Sequence, residues 1–323
     1  MGRGSKRRAA PSASDVTAAC DELVAAITAL GGALDDGVAP QLIDGFGLGF
    51  VALRDLSPGH TVLRVPAAAV ITAEVALASP IGAAITAEFE VVADEHAGEA
   101  EAPADWRAQW VKREAAWARQ EAAEAAAAAG KWGSQGVAAP DSDEDYSSAP
   151  PSDSDDEQQR ISVGVRSVLY AYLIAARAGS SALPAVHVAY ARSLPAAFDV
   201  PLLWPRTECA ELLDGTELKR SVALMRNHLR GEYDALFPRL CVAAPNLFRR
   251  RLFTWSAFQW AHAAYSSRCF AGSCAPGAVA AGAIVGDGAE QDAAAAHGVL
   301  LPLLDMANHK PEGACMCAIW APQ

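Results

Sequence analysis

The sequence of 323 residues contains no uninterrupted run of about 18 apolar residues, which is the length that a membrane-spanning helix needs. No apolar segment of the kind found in secretory signals follows its basic N-terminus. Its seven cysteines are odd in number and widely scattered, which argues against a disulfide framework. We therefore expect an intracellular protein with reduced thiols and no membrane partner.

The sequence also has no basic stripe that would bind nucleic acid. Its formal net charge is −12, and eight of its 38 acidic residues lie within 141–157, which leaves only −4 on the other residues. This local acidity predicts no nucleic-acid partner. A short basic cluster within residues 1–14 is compatible with a nuclear signal, a transit peptide or a solvated tail, so chloroplast, nucleus and cytosol all remain open.

Hydrophobic patterning in the first part of the chain predicts a helix followed by strands. Apolar residues at helical spacing predict a helix over 15–30, which two glycines end. Two short apolar segments, 50–53 and 61–65, are joined by a Ser-Pro-Gly turn and predict a β-hairpin. The apolar content of 52% is sufficient for a sizeable core.

Composition and predicted secondary structure change twice in the middle of the chain. A helical pattern with three tryptophans on one side runs from residue 105 to 130, and residues 131–160 are then rich in Ser, Pro, Gly and acids, which predicts a disordered insert. Residues 163–266 are mostly helical in pattern, and Thr254 is placed to cap the last helix. An apolar segment at 299–305 predicts a returning strand. This order predicts an α+β protein with a small β-rich core split by a large, mostly helical insertion.

The expected organisation has five parts. They are a disordered basic tail (1–14), the first part of the β-rich domain (15–90), a helix with the disordered acidic insert (91–160), the helical insertion (161–266) and the final part of the β-rich core (267–323).

Four stretches carry more specific patterns. Residues 45–56 read Gly-Phe-Gly-Leu-Gly-Phe-Val-Ala-Leu-Arg-Asp-Leu. Residues 194–216 contain Leu-Pro, Pro-Leu-Leu-Trp, Glu-Leu-Leu and Gly-Thr. A helical segment that ends in Ser-Arg-Cys-Phe covers 255–270, and residues 301–309 read Leu-Pro-Leu-Leu-Asp-Met-Ala-Asn-His. In this order the four stretches resemble the SET-domain protein methyltransferases, and among them the split-SET class that includes the Rubisco large-subunit lysine methyltransferases.

The resemblance implies S-adenosylmethionine as the cofactor and a protein that presents a lysine as the partner. It assigns cofactor binding to six residues, namely Phe46, Gly47, Leu48, Arg268, Asn308 and His309. It places Arg268 and Asp305 on the substrate side. A glycine-containing strand and turn suits this cofactor, because the backbone N–H and C=O groups can approach its charged ends. We interpret His309 as a binding residue, since no nearby Ser or Cys supports a catalytic triad.

The implied reaction is an in-line methyl transfer from a sulfonium to a lysine nitrogen. Free lysine has a pKa near about 10.4, so the amine must lose its proton before it attacks. Alignment and electrostatics then supply most of the rate, and no metal is needed. Cys315 and Cys317 follow His309, but three ligand candidates without a fourth do not predict a zinc site.

The sequence departs from the family pattern in several places. The catalytic tyrosine of the family is expected beyond residue 323, so the sequence resembles a SET protein truncated at its C-terminus and its catalytic residue is unknown. His187 stands where relatives usually have tryptophan, and Gly272 where the Rubisco enzymes have arginine. Two alternatives therefore remain open: a histidine methyltransferase of the same class and a non-catalytic SET-fold adaptor.

Overall fold

The computed structural model describes residues 13–43, 47–92, 162–274 and 297–307, and all of these belong to one compact unit. The predicted helix at 105–130 and the predicted disordered insert at 131–160 lie outside the described residues. Among the described helices, none is long and apolar enough to cross a membrane.

Helices form most of the described structure. They are α1 (Ala13–Ala29), α2 (Ala73–Leu77), α3 (Pro80–Glu88), α4 (Val165–Arg177), α5 (Ala185–Ser193), α6 (Arg206–Leu212), α7 (Glu217–Ala243) and α8 (Trp255–Arg268). Hydroxyl side chains cap three of the helices. Thr72 Oγ1, Ser79 Oγ and Thr254 Oγ1 accept hydrogen bonds from the first-turn N–H groups of α2, α3 and α8, so the cap predicted at Thr254 is present.

The β structure consists of short strand pairs. The strands are β1 (Ala33–Leu34), β2 (Val38–Ile43), β3 (Gly47–Ala52), β4 (Leu63–Arg64), β5 (Glu90–Val92), β6 (Ser162–Gly164), β7 (Cys269–Phe270) and β8 (Val299–Leu300). Within the described ranges they form the pairs β1–β4, β2–β3, β5–β6 and β7–β8, of which only β5–β6 is parallel. Helices and strands together make the α+β fold expected from the sequence.

The predicted hairpin between 50–53 and 61–65 is wrong. β3 pairs with the preceding strand β2, in which Pro40 stands opposite Phe50, and β4 pairs with β1. The sequence analysis did not predict β2, and a two-stranded sheet tolerates its Pro40 because each strand is an edge. Asp35 contacts the segment after β3: its carboxylate accepts a hydrogen bond from Arg54 and lies 2.8 Å from Nε2 of His60.

The returning strand is shorter than predicted. β8 covers only Val299–Leu300, where Leu300 also bridges to Ile71. The chain then bends at Leu303, whose φ of 69° lies in a region that L-residues other than glycine rarely adopt. A 3-10 turn, Leu304–Met306, follows. Asp305 therefore lies in a turn after the strand and not at the end of the strand itself.

The core is centred on α4. Ten consecutive residues of this helix, 167–176, are buried, and α2, α3, α5 and α8 pack around it. α1 packs on the other side of α5. A helix that is apolar on nearly every face must be covered on every side, and these neighbours provide that cover.

Candidate functional site

An ion pair between two of the predicted site residues marks the candidate site. Nη1 of Arg268 lies 3.0 Å from Oδ2 of Asp305, and the same nitrogen donates a hydrogen bond to the backbone oxygen of Asp305 at 3.2 Å. The side chain of Asp305 is 0% exposed and that of Arg268 is 15% exposed. The structure thus brings together two residues that are 37 positions apart in the chain.

Local structure explains why these two side chains meet. Arg268 is the last residue of α8, where a cation is favoured by the helix dipole. The chain continues directly into β7, whose Cys269 pairs with Leu300 of β8. Asp305 follows β8 after the bend at Leu303. The antiparallel pairing therefore fixes the start of the 3-10 turn next to the end of α8.

A third residue, which the sequence analysis did not identify, completes the group. Tyr190 on α5 is 0% exposed, and its hydroxyl donates a hydrogen bond to Oδ2 of Asp305 at 2.8 Å. The only signal in the sequence was a tyrosine within an apolar helical segment. A buried tyrosine hydroxyl usually has a partner, but such a pattern does not indicate which residue accepts the hydrogen bond.

Burial and neighbouring charges shift the pKa values of Asp305, Tyr190 and Cys20. Burial raises the pKa of the Asp305 carboxyl, while Arg268 and the Tyr190 hydroxyl act in the opposite direction by stabilising the ionised form. The pKa of Tyr190 is raised well above its usual value by burial and by the neighbouring Asp305 charge. Cys20 of α1 also faces the group, and burial together with Asp21 and Asp305 raises its pKa to about 11.

The two oxygens of the buried carboxylate differ in the partners that the described residues give them. Both Arg268 and Tyr190 contact Oδ2, whereas Oδ1 of Asp305 is buried and receives no hydrogen bond from any other described residue. A buried acceptor without a donor is costly, so such an atom in a native protein needs an explanation. A bound ligand with an N–H or O–H group would provide the missing donor.

The predicted cofactor strand lies beside this group. β3, which contains Gly47 and Leu48, packs next to the 3-10 turn that holds Asp305. Gly47 has a φ of +79°, and a Cβ atom built there would meet no other atom within 4 Å. Its backbone is therefore open to close approach by a ligand. Three other predicted cofactor residues, Phe46, Asn308 and His309, lie outside the described residues.

Comparison with known proteins supports the fold. The chain resembles a crystal structure of the SET domain of LSMT bound to lysine and AdoHcy, with a TM-score of 0.54 and 17% sequence identity over 94% of this chain and 46% of the other. A structure of Rubisco LSMT bound to sinefungin and monomethyllysine gives a TM-score of 0.54 and 16% identity over 94% of this chain and 47% of the other. The likeness shows that the chain has the fold of a SET-domain methyltransferase.

The present chain spans about half the length of these two structures. No family model matches the sequence, and no curated protein matches it at a significant level.

Proposed function

We propose that this chain is part of an S-adenosylmethionine-dependent protein-lysine methyltransferase of the split-SET class. The observation that carries the proposal is the buried Arg268–Asp305 pair, whose members come from two separate motifs. Core packing alone does not require an arginine and an aspartate from distant segments to meet in the interior. A buried ion pair is costly to desolvate and gives little net stability, which favours a functional explanation.

The chemical types of the predicted site residues suit S-adenosylmethionine. The open backbone at Gly47 suits a close approach by polar ligand groups, and Phe46, Gly47, Leu48, Arg268, Asn308 and His309 would hold the cofactor. When bound, S-adenosylmethionine supplies an activated methyl group. The chain itself contributes orientation, through the short strand β3 and the fixed end of α8.

The side of the site that would hold the methyl acceptor suits an amine. Oδ1 of Asp305 is a buried acceptor that no other described residue contacts with a donor, and a lysine nitrogen carries N–H donors that could contact it. The Arg268 guanidinium, which is held to Oδ2, orients the carboxylate toward that ligand. Burial of the lysine nitrogen and the positive charge of a bound sulfonium would both favour the neutral amine, whereas the Asp305 carboxylate would favour the protonated form.

Calorimetric titration with S-adenosylmethionine tests the cofactor assignment. Wild-type protein should bind it, and Asn308→Ala should weaken binding by on the order of 1–3 kcal/mol through loss of a polar contact with the cofactor. Asn246→Ala provides the matched control, since Asn246 is exposed in the loop after α7 and its loss should leave affinity unchanged.

The outcomes separate the alternatives. No binding by the wild type would favour the non-catalytic adaptor, and equal affinity in Asn308→Ala and wild type would remove Asn308 from the site. Lysine and histidine can then be compared as second ligands on the cofactor-saturated protein. A preference for histidine would favour the histidine methyltransferase of the same class.

A further inference from the structure

The partners of Asp305 are distributed unevenly over its two oxygens. Oδ2 is 2.8 Å from the Tyr190 hydroxyl and 3.0 Å from Nη1 of Arg268. Oδ1 receives nothing from any other described residue. Without the two donors, a carboxylate can rotate about its last torsion and exchange the two oxygens. Two donors on one side fix which oxygen faces which neighbour.

We propose that Tyr190 is a positioning residue, which holds Oδ2 of Asp305 together with Arg268 so that Oδ1 remains available to an amine-bearing ligand, the lysine side chain. This inference rests on the proposed function for the identity of the ligand. Tyr190 does not contact the ligand itself and acts only through Asp305.

The location of Tyr190 supports a specific role for its hydroxyl. The residue lies on α5, 115 positions before Asp305, and its ring is fully buried in the core. Core packing needs the ring but not the hydroxyl, because phenylalanine would fill nearly the same volume. The hydroxyl adds a charge-assisted hydrogen bond to a carboxylate, which is stronger than a bond between neutral groups.

Few charged or titratable groups lie near Asp305 among the described residues, so the effect of the Tyr190 hydroxyl on it can be measured. Four titratable or charged groups surround Asp305: Cys20 from α1, Tyr190 from α5, Arg268 at the end of α8 and Cys269 at the start of β7. β3 packs against the same turn but has only apolar residues and glycines. Tyr190 and Arg268 are therefore the side chains that favour the ionised carboxylate, together with the backbone N–H of Asp305 itself, against the burial that disfavours it.

Tyr190→Phe tests the proposal, with Tyr172→Phe as the matched control. Tyr172 is also fully buried in the core, but its hydroxyl contacts His187 and not Asp305. The probe is free lysine, titrated calorimetrically into protein saturated with AdoHcy. Tyr190→Phe should weaken lysine binding about 10-fold, and AdoHcy binding should be unchanged. Tyr172→Phe should bind lysine as wild type does.

A pH profile distinguishes positioning from simple structural support. Removal of the Tyr190 donor destabilises the ionised carboxylate, so the pH below which lysine binding is lost should move upward by about one unit. Replacement of Tyr190 by 3-fluorotyrosine keeps the shape and strengthens the donor, so this pH should move downward. A general loosening of the core would not shift the midpoint in opposite directions.

Carbon-13 NMR of the Asp305 carboxyl, assigned with Asp305→Asn, gives the result without any ligand. If the carboxyl titrates identically in wild type, Tyr190→Phe and the fluorotyrosine protein, the positioning role is overturned. If the carboxyl responds to Tyr190 but wild type binds no lysine, the lysine acceptor in the proposed function is overturned, and the positioning inference falls with its ligand.

Discussion

Acidification should destabilise this protein through His187, which is buried at 1% exposure on α5. Its Nδ1 is hydrogen-bonded to the Tyr172 hydroxyl, and burial lowers its pKa from an ordinary value of 6.5 to about 4. The unfolded chain therefore binds a proton at this residue between those two values while the folded chain does not. The free energy of unfolding must fall as the pH decreases through this window.

The size of the effect follows from the two pKa values. Linkage with values of 6.5 and about 4 gives a loss of about 2 kcal/mol between pH 7 and pH 5 from this histidine. His262 is also held neutral by burial, with its pKa lowered to about 4, and should contribute a loss of similar size. Together they would remove a substantial part of the stability of a typical domain.

Urea denaturation of wild type and His187→Asn at several pH values from 7 to 5 measures this contribution. Asparagine retains an acceptor for the Tyr172 hydroxyl but does not titrate, so the variant should lose about 2 kcal/mol less than wild type over the range. An equal loss in both proteins would refute the reasoning. So would wild-type stability that does not change with pH.

Three further predictions concern stability. At pH 7, Arg268→Met should lower the free energy of unfolding by about 3–5 kcal/mol, because it leaves the buried Asp305 carboxylate without its cation; urea denaturation should show partial recovery when Asp305→Asn is added. Gly82→Ala should destabilise the fold by about 1–3 kcal/mol, since its Cβ would lie 2.4 Å from backbone atoms of the neighbouring helix. By contrast, Gly231→Ala on α7 meets nothing within 4 Å and should stabilise the protein by about 1 kcal/mol, which thermal unfolding can measure.

Local patterns predicted the helices well, because capping and helical spacing are local properties. The cap at Thr254 and the helix that ends at Arg268 follow directly from the sequence. Strand pairing is not local. β3 was expected to pair with the segment after it, yet it pairs with β2, and no feature of β3 itself distinguishes the two neighbours. Pro40 also weakens the strand pattern of β2, because proline cannot donate a hydrogen bond to a neighbouring strand.

In the candidate site, too, local motifs could be predicted from the sequence and tertiary contacts could not. Motif resemblance predicted Arg268 and Asp305 as site residues, and their contact follows from the β7–β8 pairing. Tyr190 was missed, because the hydroxyl of a buried tyrosine can reach many partners and the sequence does not specify which. The tertiary contact between α5 and the turn at Asp305 determines it.

The site is assembled from segments that are also the main supports of the core. Tyr190 belongs to α5, which packs on α1 and α4, and Arg268 ends α8, which packs on α4. A ligand bound at Asp305 would be released when these helices separate, so its binding free energy adds to the stability of the whole domain. At a concentration about 100 times its dissociation constant, such a ligand would add about 2.7 kcal/mol. Thermal melting thus becomes a means of finding the natural ligand among metabolites and peptides, without any assay of turnover.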